Sequence, residues 1–239
     1  MADFLNTLLY GIYPYIALGV LILGTAIRYD REPYTWRSGS SQLLRRKQLV
    51  WGSVLFHVGV LVIFFGHLIG LLTPIAIFDA LGVSHGAKQL LAIVAGGIAG
   101  IMAIVGATLL VHRRLFDARV RATSSTSDTL IIVLLWAQLA LGLLTIPVSL
   151  QHLDGHEMVR FMTWAQGIFT FNAAAASYVA GAAIIFKLHL FLGLTILLLF
   201  PFTRLVHMLS VPVRYMWRPG FQVVRERNHR AAQTHVPAE

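Results

Sequence analysis

The chain has 239 residues and no cysteine. That absence excludes disulfides, cysteine-ligated iron–sulfur clusters and covalent attachment of a c-type haem. Charge is scarce as well: 12% of residues are Asp, Glu, Lys or Arg, about half the fraction usual in a soluble domain. Apolar residues make up 57% of the chain, with a mean hydropathy of +0.73. They come in long runs, which points to membrane spans instead of one large core. The formal net charge of +9 would suit nucleic acid, but the basic residues sit between the apolar runs, where they read as membrane topology. No nucleic-acid partner is expected; the expected surroundings are lipid.

The runs lie near Phe4–Ile27, Leu49–Thr73, Leu90–Val111, Thr129–Leu150 and Ala182–Leu205. Each is close to the ~20 helical residues that cross ~30 Å of hydrocarbon. No basic segment precedes the first run and Asp3 is acidic, so this helix is expected to stay in the mature protein. Arg28, Arg31, Arg37, Arg45, Arg46 and Lys47 follow the first run, and Arg113, Arg114, Arg119 and Arg121 follow the third. Arg204, Arg214, Arg218, Arg225, Arg227 and Arg230 accompany or follow the end of the fifth. With five spans all of these share one side, leaving Lys88, Arg160 and Lys187 for the other. The positive-inside rule then puts the N-terminus outside and the C-terminus in the cytoplasm.

The expected fold is therefore an all-α integral membrane protein with five transmembrane helices over residues 1–219, followed by a polar, basic cytoplasmic tail over 220–239, disordered or partner-bound. Phe161–Gly181 tempts a sixth span, but it holds Gln166, Asn172 and the run AAAAS. A sixth crossing would also send the arginine-rich tail outside. The segment reads as an outer-side amphipathic or re-entrant piece lying over the bundle.

The second run carries His57 and His67, and the fifth leads through His189 to His207. Ionisable groups inside a membrane segment are rare and mark functional sites. The two helices run in opposite directions, so His57 pairs with His207 near the cytoplasmic side and His67 with His189 nearer the outside. Each pair can supply both axial imidazoles of a b-type haem held between helices two and five. On an ideal helix His189 and His207, 18 residues apart, share one face. His57 and His67, 10 apart, are turned by ~80°, and the rises differ, ~15 Å against ~27 Å. Helix tilt and a kink at Pro201 can absorb the mismatch. Gly193, one turn after His189, leaves room for a flat ring, whereas Gly59, Gly66 and Gly70 share a face suited to close helix packing.

The alternative for these histidines is packing inside a bundle with hydrogen-bonded imidazoles. Zinc is less suited, because the pairs have no carboxylate beside them. Of the others, His85, His152 and His156 fall in outer loops, and His112, His229 and His235 fall inside or in the tail; solvated surface is their default. Lys88 opens the third span on the outer side. It either snorkels to the headgroups or donates a hydrogen bond to a quinol oxygen.

Several stretches carry a family resemblance: IYPYIA at Ile12, RYDREPYTWRSGSSQ at Arg28, LFHVGVLVIFFGHLIGLLTP at Leu55 and RRLFDARVRAT at Arg113. ALGLLTIP at Ala140, QHLDG at Gln151 and FKLHLFLGLTILLLFPFTRLVHMLSVPV at Phe186 complete the set. In order and spacing, up to about Val213, the chain resembles the gamma subunit of membrane-bound respiratory nitrate reductase, a di-haem cytochrome b. The resemblance implies five helices in the bacterial cytoplasmic (inner) membrane and two bis-histidine haems b. His57 and His207 would ligate the inner, proximal haem, and His67 and His189 the outer, distal one. It also implies a quinol site at Gly66, His67 and Lys88, beside the outer haem. The implied partners are an iron–sulfur beta subunit and a molybdenum-containing alpha subunit on the cytoplasmic face.

On that resemblance quinol is oxidised at the outer face, and electrons leave inward to reduce nitrate in a partner subunit. A neighbouring reading is the cytochrome b subunit of a sulfur-metabolising or heterodisulfide-reductase-like complex, with the same histidine plan and a different soluble enzyme. A small transporter or a purely structural anchor would leave both histidine pairs unexplained.

Overall fold

A computed structural model describes residues 2–36 and 44–210 of the chain. The tail over 220–239, and most of the arginine-rich segment before it, lie outside the described residues. Among the described residues there is no strand, and five helices are long and apolar enough to cross a membrane. They are Asp3–Arg31, Arg46–Leu72, His85–Phe116, Thr126–Ser149 and Ile184–Phe202, called here the first to fifth spans.

Small residues set the closest packing. The second span buries Gly52, Phe56 and Gly59, and these meet Ala99, Ala103 and Gly106 of the third. A Cβ on Gly59 would stand 2.5 Å from the Ala99 carbonyl oxygen, and one on Gly106 would meet the Phe56 backbone nitrogen. Only glycine lets these backbones approach so closely. The third span then packs on the fourth, the fourth on the fifth and the fifth on the first. By contrast, spans two and five do not pack closely on each other.

Phe161–Gly181 is no sixth span. It is an amphipathic helix, His156–Phe169, followed by a tight turn and the short helix Ala175–Tyr178. Its 14 helical residues rise about 21 Å, too little to cross. Instead it buries Trp164, Ala165, Ile168, Ala175, Ala176 and Val179 in a cluster with Tyr10 and Ala17 of the first span and Leu194 of the fifth. Pro14 cannot supply the amide hydrogen that the Tyr10 carbonyl would normally receive, and the Trp164 indole N–H donates there at 2.9 Å. Other side chains close open helix ends. Gln166 donates to the Leu71 and Thr73 carbonyls at 3.1 and 3.0 Å, and Gln89 donates to those of Ser149 and His152.

The fifth span departs from the single helix assumed for the histidine spacing. Its α-helix ends at Leu199, a 3-10 turn covers Phe200–Phe202, Thr203 is extended, and a second 3-10 segment runs Arg204–Ser210. Pro201 explains the break, since it has no N–H to continue the ladder. The first span holds the broken end. Gly24 leaves space for the Pro201 ring, which would lie 2.9 Å from a Cβ there. Arg28 donates from Nη1 to the carbonyls of Pro201 and Thr203 at 2.7 and 2.8 Å.

Candidate functional site

Across the space between spans two and five, the four histidines meet in two pairs. The rings of His57 and His207 have centroids 6.3 Å apart with planes at 72°. Those of His67 and His189 are 6.2 Å apart at 46°. These are the pairs that antiparallel spans predict; His207 lies in the 3-10 segment beyond the break at Pro201, off the single α-helix on which the rise was counted.

Hydrogen bonds orient the rings. His57 Nδ1 donates to the Ser53 carbonyl at 2.7 Å, His67 Nδ1 to that of Ile63 at 2.8 Å, and His207 Nδ1 to that of Arg204 at 2.5 Å. A carbonyl only accepts, so in each ring the hydrogen is on Nδ1 and Nε2 keeps its lone pair. No protein partner takes those three Nε2 atoms among the described residues. His189 is held differently, from the fourth span. Gln138 donates to its backbone carbonyl at 3.1 Å and places its amide nitrogen 3.4 Å from His189 Nε2. Gly142 makes room for the ring, with Cε1 only 3.0 Å from where a Cβ would be. His189 Nδ1 is buried without a hydrogen-bond partner.

All four rings thus keep one nitrogen free of protein partners, and the pair spacing fits one metal between two imidazoles. With a metal–nitrogen bond of about 2 Å and about 1.2 Å from that nitrogen to the ring centre, two rings sharing one metal would stand at most about 6.4 Å apart. Among the described residues no three His, Cys, Asp or Glu side chains gather into a metal site. Two imidazoles fall short of a zinc ligand set, so the remaining ligands have to come with the metal, as they do in a haem. The residues fit that group.

Lys88 does not snorkel. It is 7% exposed, and its ammonium donates to the Gly70 carbonyl at 3.0 Å, touches Met162 Sδ and lies 3.6 Å over the Phe78 ring centre. Gly70 is one turn beyond Gly66 and His67 on the second span, so all three sequence candidates lie at one end of that helix. Gly66 borders open space, with nothing within 4 Å of a Cβ built on it, and so does Gly70; only Gly59 of that face is closely packed. Gly193 leaves room for the Gln138 amide, 3.1 Å from its would-be Cβ, where a flat ring was expected. At the opposite end Asp128 bridges Arg114 and Arg204 at 3.5 and 3.2 Å.

Sequence reasoning passed over Gln138 and Arg28. Gln138 had a signal: it is the lone polar side chain between Leu130 and Leu144. Arg28 has none, because in sequence it is one of several basic residues between two apolar runs.

A five-span membrane protein with two imidazole pairs facing each other between spans two and five is the class defined by fold and site. Residues 6–227 match the family of the nitrate reductase gamma subunit. The chain is 50% identical to the respiratory nitrate reductase 1 gamma chain of Escherichia coli (strain K12), over 95% of this chain and 100% of that one. It is 38% identical to the nitrate reductase gamma chain of Bacillus subtilis (strain 168), over 92% of this chain and 98% of the relative. The chain belongs to the nitrate reductase gamma subunit family.

Proposed function

We propose that this protein is the membrane anchor and quinol-oxidising cytochrome b subunit of a respiratory nitrate reductase. The observation that carries the reading is the pair of 6.2 and 6.3 Å imidazole separations, with one free nitrogen on every ring. His57 and His207 would hold an inner haem b, and His67 and His189 an outer one. Bound there, bis-histidine haems supply one-electron carriers with no open iron position, suited to electron transfer and not to oxygen chemistry.

The chain's own residues do the rest. The Ser53, Ile63 and Arg204 carbonyls fix three ring tautomers, which is how a protein sets ligand orientation and basicity. Quinol would bind at the end carrying Gly66, His67 and Lys88, which the charge pattern puts outside. Lys88 then offers a hydrogen bond to a quinol oxygen, and open space beside Gly66 gives the quinol ring room. Protons leave quinol outside, while electrons are delivered on the arginine-rich cytoplasmic face to an iron–sulfur beta subunit. A molybdenum-containing alpha subunit beyond it reduces nitrate. Each electron carried inward across the membrane works against about 2.3 kcal/mol per 100 mV, so the reaction builds membrane potential without a proton pump. The basic face also suits an acidic docking surface on the soluble partner.

A reduced-minus-oxidised visible spectrum with pyridine haemochrome quantitation tests the reading on wild type, His67→Ala and His207→Ala. Two haems b in wild type, and one in each variant, are expected. Absence of haem from the purified wild-type complex would return the histidines to packing.

A further inference from the structure

The imidazole that lacks a carbonyl anchor is His189, and the element that replaces the anchor is an amide from another span. Gln138 sits in the otherwise apolar stretch Leu130–Leu144, where an amide side chain is costly unless it is hydrogen-bonded. Its amide nitrogen donates to the His189 carbonyl at 3.1 Å and stands 3.4 Å from the ring. Its Oε1 is buried without a partner. Two glycines are needed for this arrangement. A Cβ on Gly193 would come 3.1 Å from the Gln138 amide nitrogen, and one on Gly142 would come 3.0 Å from His189 Cε1.

The geometry points to Gln138 as the positioning residue of the outer site: it fixes His189 and tunes the haem that His67 and His189 hold. This rests on the bis-histidine reading above. A partner of a metal-bound imidazole sets its orientation and electron donation, and in a haem that shifts the reduction potential. The Gln138 N–H groups turn the positive end of the amide dipole toward His189. That field favours the reduced, more electron-rich state, so its loss lowers the potential. The His57/His207 site has no contact with Gln138 and should not respond.

The test is redox titration and low-temperature EPR of the full complex in membranes, with Gln138→Met, which keeps the volume and removes the amide. The expected result is an unchanged inner haem, with either a lowered potential and altered EPR signal for the outer haem or selective loss of that haem. Wild-type potentials and spectra for both haems would overturn the inference. Should Gln138→Met lose both haems, Gln138→Asn decides, since it keeps the amide but withdraws it by one methylene. A selective change at the outer haem then supports the proposal. Equal loss of both haems again, or an unchanged outer signal, refutes it. Wild type without haem would remove the bis-histidine reading itself, and this inference with it.

Discussion

The two histidine pairs reach nearly the same separation by different means. At the arginine-rich end His207 follows a broken helix, and its place depends on Pro201, the Gly24 gap and the Arg28 clamp. At the other end His189 stays on a regular helix and takes its support sideways, from Gln138 and Gly142 of the fourth span. Both partners on the second span, His57 and His67, use the same local device, a carbonyl one turn back. The difference lies wholly on the fifth span. A shared ring separation therefore does not imply a shared scaffold, and the two ends should fail separately.

Gly142→Leu should break the comparison most strongly. A Cβ added there would already stand 3.0 Å from the His189 ring, and three further carbons leave the ring no room. Overpacking of this kind costs about 1–3 kcal/mol in a well-packed interior, and His189 yields by turning away from His67. The expected outcome is loss of the outer haem with the inner retained, measured by pyridine haemochrome and EPR. Loss of both in equal measure would mean that the fourth span supports the whole bundle. Arg28→Leu should do the converse at the other end. It leaves the Pro201 and Thr203 carbonyls without their charged donor, at about 1.5–3 kcal/mol for hydrogen bonds to a charged group, less what water reaching this half-buried side chain restores. Inner haem content should fall while the outer signal stays. Arg28→Lys, lacking the planar fork, should fall between.

Five spans, their order and both histidine pairings were legible in the sequence, because run length, basic loops and antiparallel direction are properties of the chain itself. The non-crossing segment was legible too, through Gln166 and the AAAAS run. Other features needed three dimensions. Pro201 announced a disturbance, but nothing nearby said whether it would kink the helix or end it. That depends on Gly24 and Arg28, more than 170 residues away in sequence. The sequence leaves Lys88 open between the headgroups and a site role; only the Gly70 carbonyl and the Phe78 ring, both from other elements, show its ammonium turned inward. Gly193 suggested space, correctly, but what fills it comes from the fourth span.

The smallest predicted effect sharpens the comparison without breaking either site. Ser53 offers His57 Nδ1 two acceptors, its carbonyl at 2.7 Å and its hydroxyl at 3.2 Å. Ser53→Ala removes only the longer contact, and a neutral hydrogen bond contributes about 0.5–1.5 kcal/mol at most. Haem content should not change. With one acceptor fewer, the N–H of His57 donates less and its ring becomes a slightly poorer electron donor to the metal. The inner haem should then be easier to reduce, so its potential moves slightly upward, opposite in sign to the outer-haem response expected of Gln138→Met. Titrating both variants against wild type in one preparation checks this. Shifts of the same sign would show that the two ends are tuned alike, whatever their scaffolds.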